Sequence, residues 1–430
     1  MKLILLFAGA AWLIAASTLV TVFLLLRRKP KSTSGRWLRK NNPKHQMKHL
    51  RPALTTPQWW TVAALLIAAG LAGATLAVAA PEIRAPFTPL ELKKPGVASS
   101  SIIRLADGAL MTAEGNSTII SRDGGVTWGE RRAILADYPA VNEKPTAGVP
   151  GSQIMLLRTR DNILVGVWRD PRVDDWDKTT GALGPKAEGD VWSIRSLDGG
   201  QTWTDKQKLF DGICGHPPIN LLQLKDGNIV VPIQYYASHP LRCVIRTYVS
   251  ADNGKTWRGG NIIDLGGHGD HDGAFEPSLV ELRDGRVWMV IRTNLDRFWE
   301  AFSDDGGLNW RIIRPTTIGA SSSPPYVTRL ASGRLILFWN RLYPEGQTSY
   351  QRRSGKYSEV AGSWHREELS VALSDDDGIT WSTPRIVARE PKKWLSYSYA
   401  FEPQPGVIWL FSLGGNFAAQ VREADLLSAK

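Results

Sequence analysis

The chain has 430 residues, 43% of them apolar, and carries 52 Lys and Arg against 41 Asp and Glu, a formal net charge of +11. This composition supplies a sizeable core and excludes a generally disordered chain. The first 80 residues contain eleven Lys or Arg and no acid, so the excess charge is confined there; the rest is formally neutral, which argues against a nucleic-acid partner.

Residues 3–26 form an apolar run of 24 and residues 59–80 a second of 22. Each is long enough to cross about 30 Å of hydrocarbon as a helix. The sequence therefore predicts a first transmembrane helix within 1–26, a basic cytoplasmic connector over 27–58, a second transmembrane helix over 59–80 and a domain over 81–430. Ten of the eleven cations lie between the runs, which by the positive-inside rule places that domain outside the cytoplasm, integral to the cell membrane. The competing reading treats 59–80 as an export signal cleaved near Ala-Val-Ala-Ala. Cys214 and Cys243 are the only cysteines, and sequence leaves open whether they pair.

From residue 99 onward short β-rich runs are bounded by turn residues, so the domain is predicted to be all-β. SRDGGVTW at Ser121, SLDGGQTW at Ser196, SADNGKTW at Ser250, SDDGGLNW at Ser303 and SDDDGITW at Ser374 share one pattern, Ser-x-Asp-x-Gly-x-(Thr/Asn)-Trp. Glycine gives the positive φ of a tight turn, Ser and Asp bond the turn's own backbone, and Trp anchors it to the sheet. Between these copies lie Asp-Gly or Ser-Gly hairpins such as RLADGAL, QLKDGNI, ELRDGRV and RLASGRL. Each unit is then strand, hairpin, strand, variable loop, strand, motif turn, strand, which is a propeller blade. Five blades occupy about 99–392, and 397–430 with a strand from 87–94 completes a sixth and closes the ring. Repeated turns share one face, so a binding site belongs on the other, among the variable loops.

Those loops hold Trp168, Arg169, Asp170, Arg172, Asp174, Asp175 and Asp177 in blade 2, and His216, Tyr235, Tyr236 and His239 in blade 3. Blade 4 brings His268, Asp270, His271, Asp272, Glu276 and Arg292; blade 5 brings Asn340, Arg341, Trp364, His365 and Arg366; blade 6 brings Tyr397 and Tyr399. Guanidinium groups grip a carboxylate bidentately and aromatic faces cover a sugar ring, so this set suits an acidic glycan. His and Asp in GGHGDHDG are competent metal ligands, but their irregular spacing favours a polar, substrate-facing loop.

The five motif copies, known as Asp-boxes, and the strand pattern EPSLVELRDGRVWMVIRT resemble the sialidase (neuraminidase) superfamily over about 90–430. The resemblance implies a cofactor-free exo-glycosidase in which three arginines hold the sugar carboxylate, a Tyr assisted by a Glu attacks the anomeric carbon and an Asp is acid/base. Carried over, Glu276 assists the nucleophile, Arg292 and Arg366 are the second and third arginines, and Tyr399 is the chosen nucleophile with Tyr397 close behind. His271 and Tyr397 are expected to contact substrate. Where the family has its first arginine this chain reads GVASSSII, and its acid/base loop is only AEGNST, offering Glu114 or Asn116. Arg169 with one of Asp170, Asp174 or Asp175 is the substitute, Asp170 being assigned as acid/base. The rival expectations are a glycan-binding propeller without catalysis, and another hydrolase or lyase acting on surface polysaccharide.

Overall fold

The computed structural model describes residues 81–90, 101–135, 154–170, 175–412 and 417–428, so both apolar runs of the first 80 residues lie outside the described part. Among the described residues no helix is long and apolar enough to cross a membrane. Six antiparallel sheets succeed one another around a ring. Blade 1 runs from Ile103–Arg104 to Glu130–Ala133, blade 2 from Ile154–Arg158 to Thr204–Phe210 and blade 3 from Leu222–Gln223 to Arg258–Ile263. Blade 4 runs from Phe275–Glu281 to Ile312–Gly319, blade 5 from Tyr326–Arg329 to Arg385–Arg389, and blade 6 starts at Ser398–Gln404. The described residues form an all-β six-bladed propeller.

Thr88–Pro89 supplies the fourth strand of blade 6, with Thr88 opposite Gln420. The ring therefore closes as the sequence predicts, by a strand from the N-terminal side, which removes a free edge. Glu82–Ile83 adds a strand that sequence did not predict: it pairs outside blade 5, Glu82 opposite Arg389. One short segment thus straps two blades.

The five motif turns join the third and fourth strands of blades 1 to 5. Blade 6 has no copy because its fourth strand comes from the other end of the domain; the short helix Glu423–Ser428 follows its third strand instead. In blade 1, Ser121 Oγ donates to Asp123 Oδ1 at 2.8 Å and accepts from the Gly125 amide at 2.8 Å, while Asp123 accepts from the Thr127 amide. The same three bonds recur from Ser196, Ser250, Ser303 and Ser374. Hydrogen bonds from Thr127 hold the Asp123 carboxyl down at about 2, so these acids are turn material.

The motif glycine also governs blade spacing. A Cβ would stand 2.5 Å from Trp409 if added to Gly125, 2.8 Å from Met111 at Gly200, and 2.9 Å from Val230 at Gly307. At Gly254 and Gly378 it would meet Val165 and Trp288. Each of these neighbours lies on the second strand of the preceding blade. The tryptophans act across the same seams: Trp128 packs with Trp409 and Phe411 of blade 6, and Trp257 Nε1 donates to Ser193 Oγ of blade 2 at 3.1 Å. The motif anchors its turn to the adjoining blade as well as to its own sheet.

Hairpins and motif turns share one face, leaving the second-to-third-strand loops and the connectors between blades on the other. There the loops of blades 2 and 5 meet. Trp176 stacks on Tyr357 at 5.1 Å, and Asp270 accepts from the Tyr357 amide at 3.1 Å.

Candidate active site

Blade 4 opens with Phe-Glu-Pro, and Pro277 has no amide hydrogen to give to a ladder. The pairing skips here: Phe275 faces Arg292, and the next pair is Ser278 with Val290, so Glu276 and Pro277 form a bulge. Glu276 has φ of +47°. A bulge with a left-handed non-glycine residue re-aims a side chain at a local energetic cost, a feature concentrated at functional sites. The carboxylate bonds Arg292 Nη1 and accepts from Tyr397 Oη at 3.0 Å.

Arg292 ends the buried strand Val287–Arg292 and has no exposed surface. Its Nε and Nη2 donate to Ser322 Oγ at 3.3 and 3.1 Å, and its guanidinium lies 4.4 Å from the Phe275 ring. Each nitrogen of Arg292 thus has an acceptor. Burial alone would push the Glu276 carboxyl up, but Arg292 and Arg366, joined by His216 once that ring is protonated in acid, outweigh it and hold it at about 2. Glu276 is therefore an ionised acceptor.

Arg366 precedes the third strand of blade 5 and is 2% exposed. Its Nη2 donates to the Ser322 carbonyl at 2.7 Å and its Nη1 to Ser396 Oγ at 3.5 Å, while Nε has no acceptor. Burial and then the neighbouring Arg292 pull it down to about 10, which leaves it charged at neutral pH. No carboxylate among the described residues pairs with it. The cluster thus holds two cations against one anion.

Tyr397 stands just before blade 6 with φ of +58°. Burial and then the Glu276 charge push its phenol up, so its proton stays on and points at Glu276. His216 stacks on its ring at 4.8 Å and 24°, fixed by Nδ1–H donating to the Pro217 carbonyl at 2.7 Å. Burial pushes that imidazole down and keeps it neutral.

The structure brings together Glu276, Arg292, Arg366 and Tyr397, and places Tyr399 elsewhere. Tyr399 Oη accepts from the Ile102 amide at 2.7 Å and donates to the Ile102 carbonyl at 3.0 Å, riveting blade 6 to blade 1. Tyr397, not Tyr399, faces Glu276. Asp170 accepts from Trp192 Nε1 at 3.3 Å on the third strand of blade 2 and feels the Lys206 charge, so it is directed toward outer strands. Arg169 is near enough to bear on His216 electrostatically. His271 lies over Phe275 and Trp364, 6.3 and 5.9 Å away, with Nδ1 3.2 Å from Asp270. Glu114 pairs with Arg131, and Asn116 accepts from the Leu135 amide, both in blade 1. His365 is wholly buried against the Arg341 carbonyl. Both cysteines are free and buried.

Sequence reasoning passed over Ser322 and Trp394. Ser322 serves both arginines and donates to Asn294 Oδ1 at 2.6 Å; the run Ala-Ser-Ser-Ser-Pro-Pro, three buried serines between β runs, was its available signal. Size alone is a poorer guide than charge. A cavity of about 700 Å³ between blades 4 and 5 is lined by Arg283, Arg286 and Arg314, but these pair with Asp377, Asp284 and Glu300.

A family model described as a BNR repeat-like domain matches residues 179–409, more than half of the chain. The chain belongs to that family. It is a sialidase-like BNR propeller. No curated protein matches the sequence. Solved structures do: a Dyadobacter fermentans protein of unknown function shares 16% identity, covering 79% of this chain and 98% of its own, with a TM-score of 0.52. The leech intramolecular trans-sialidase, complexed with 2,7-anhydro-Neu5Ac, shares 15% over 79% of this chain and 71% of its own, with a TM-score of 0.51. The intramolecular trans-sialidase of Ruminococcus gnavus, complexed with oseltamivir carboxylate, shares 15% over 79% and 98%, with a TM-score of 0.50. The BNR propeller shares its fold with these proteins.

Proposed function

We propose that the protein is an exo-glycosidase of sialidase type that releases a terminal acidic sugar, sialic acid or a relative, from extracytoplasmic glycans, held in the membrane by its two N-terminal apolar segments. One observation carries the chemistry: Arg366 is a buried cation without an acid partner, beside a Tyr–Glu pair. A ligand carboxylate supplies the missing anion. The trans-sialidases among the structural neighbours support an acidic sugar by analogy of fold.

In this reading the neutral Tyr397 is the nucleophile, which avoids the repulsion a carboxylate would meet from the substrate's own carboxylate. Its oxygen bonds the anomeric carbon as the phenolic proton passes to Glu276 and the bond to the aglycone oxygen breaks. Water then displaces Tyr397, its surplus proton neutralising the hydroxide left when water protonates the aglycone oxygen, and the proton on Glu276 returns to the phenol. Held at about 2, Glu276 is a weak acceptor for that proton. A ligand carboxylate at Arg366 offsets the positive field and raises it, coupling base strength to substrate binding.

Asp170 accepts from Trp192 Nε1, and among the described residues no acid but Glu276 bonds Arg292, Arg366 or Tyr397, so in this reading the departing aglycone oxygen is protonated by water. Aryl sialosides, whose leaving groups need no protonation, should then turn over at least about 100-fold faster than alkyl sialosides, the usual contribution of a general acid. Equal rates would mean that an acid acts after all. Release of 4-methylumbelliferone that persists in Y397F and E276A would overturn the assignment. The same orientation of Asp170 favours a second reading, a glycan-binding propeller without turnover, marked by binding of sialosides and no cleavage of even the aryl substrate. Resistance to alkaline extraction, with protease access to the propeller from outside the cytoplasm, checks the anchoring.

A further inference from the structure

A buried guanidinium is ordinarily held by a carboxylate, and such a partner would cancel the charge an anionic ligand needs. Arg366 is held differently. Its Cζ lies 4.6 Å from the Trp364 ring and 4.5 Å from the Trp394 ring, and the two indoles form a corner with centroids 6.4 Å apart and planes at 63°. The Tyr397 ring adds a third face at 5.6 Å. The π-faces attract the cation without neutralising it. Trp364 is shared with Arg292, 5.9 Å away, whereas Trp394 serves Arg366 and is 45% exposed. Nε–H meanwhile has no acceptor, a donor that a ligand oxygen would satisfy.

We propose that Trp394 is a positioning residue for anion recognition: it takes the place of an acid partner for Arg366, excludes water from that guanidinium, and so makes the site select carboxylate-bearing sugars over neutral ones. The proposal rests on the reading of Arg366 as the anion site. Without the indole, water screens the guanidinium and its orientation loosens, so the field that distinguishes an acid from its ester weakens.

The test is calorimetric binding of 2,3-didehydro-2-deoxy-N-acetylneuraminic acid and its methyl ester, with glucuronic acid and its methyl ester as a second pair, to the full chain, W394A and W394F. Wild type should prefer the acid of a pair by at least about tenfold. W394A should reduce that preference about tenfold, and W394F, which keeps an aromatic face, by much less. With an aryl sialoside, W394A should raise KM more than it lowers kcat. Melting temperatures confirm that each variant is folded. An unchanged acid preference in W394A overturns the role of Trp394 and leaves the sialidase-type reading standing. A Trp394-dependent preference for glucuronate, without binding of the sialic acid glycal, keeps the role and overturns that reading. Indifference of wild type to both acids overturns both.

Discussion

Tyr397 and Tyr399 are two positions apart and do different work: one hydroxyl faces Glu276, the other joins two blades. Y397F should reduce turnover of an aryl sialoside by more than about 1000-fold. Y399F should keep turnover and lose about 1–3 kcal/mol in denaturant unfolding, because the Ile102 amide and carbonyl are both left unpaired. The reverse pattern would restore Tyr399 as nucleophile. Glu276 carries a pH signature. Its folded carboxyl sits at about 2, below the ordinary 4.5, so its ion pair stabilises the protein above about pH 4.5, and that contribution is lost as pH falls toward 2. E276Q should be less stable at neutral pH, since it leaves Arg292 buried without its counter-charge, yet its stability should fall less steeply between about pH 5 and 2. Parallel profiles for the two proteins would show that Glu276 is not held down in the fold.

At the scale of elements, the motif turns were readable because their bonds are local: the side chains of the motif Ser and Asp bond groups of their own copy. The spacing role of the glycine was not readable, because Trp409 lies 284 positions from Gly125 and meets it only once the ring is closed. Gly124 and Gly125 separate the two effects. Both have positive φ, +73° and +96°, but a Cβ on Gly124 meets nothing within 4 Å. G124A should cost only the left-handed backbone penalty, about 1 kcal/mol, whereas G125A should add about 1–3 kcal/mol of overpacking against Trp409. Urea unfolding of the two variants checks this, and equal losses would assign the whole glycine requirement to the backbone. Which of the two tyrosines faces Glu276 was hidden by another element boundary. Residues i and i+2 share a face within a strand, so Tyr397 and Tyr399 look equivalent until the strand is known to begin at Ser398, after the left-handed turn at Tyr397.

At the scale of the whole molecule, repeat counting was enough to say which face carries the non-repeated loops, and Glu276, Arg292 and Arg366 meet there although they come from blades 4 and 5. Asp170 was beyond such reasoning, since a strand-end position fixes the face of the propeller but leaves open whether a side chain turns toward the axis or the rim. The site also depends on how the ring is closed. Arg366 belongs to blade 5 and Tyr397 leads into blade 6, and the strap over residues 82–89 pairs with both blades. Phe87, 5% exposed, is its hydrophobic anchor, packed in one core with Phe338, Leu369 and Val371 of blade 5 and Leu410 and Val421 of blade 6. Emptying that position should cost about 3–5 kcal/mol. Because the seam spans the site, F87A should unfold at lower denaturant in one transition, with binding of the acidic glycal lost over the same range as tryptophan fluorescence. I379A, altering a side chain 83% exposed on a motif turn, should stay within about 0.5 kcal/mol of wild type. If F87A instead lost ligand binding in a separate early step, while most fluorescence persisted, blades 5 and 6 would open independently of the others, and closure by the strap would hold the site together without holding the ring.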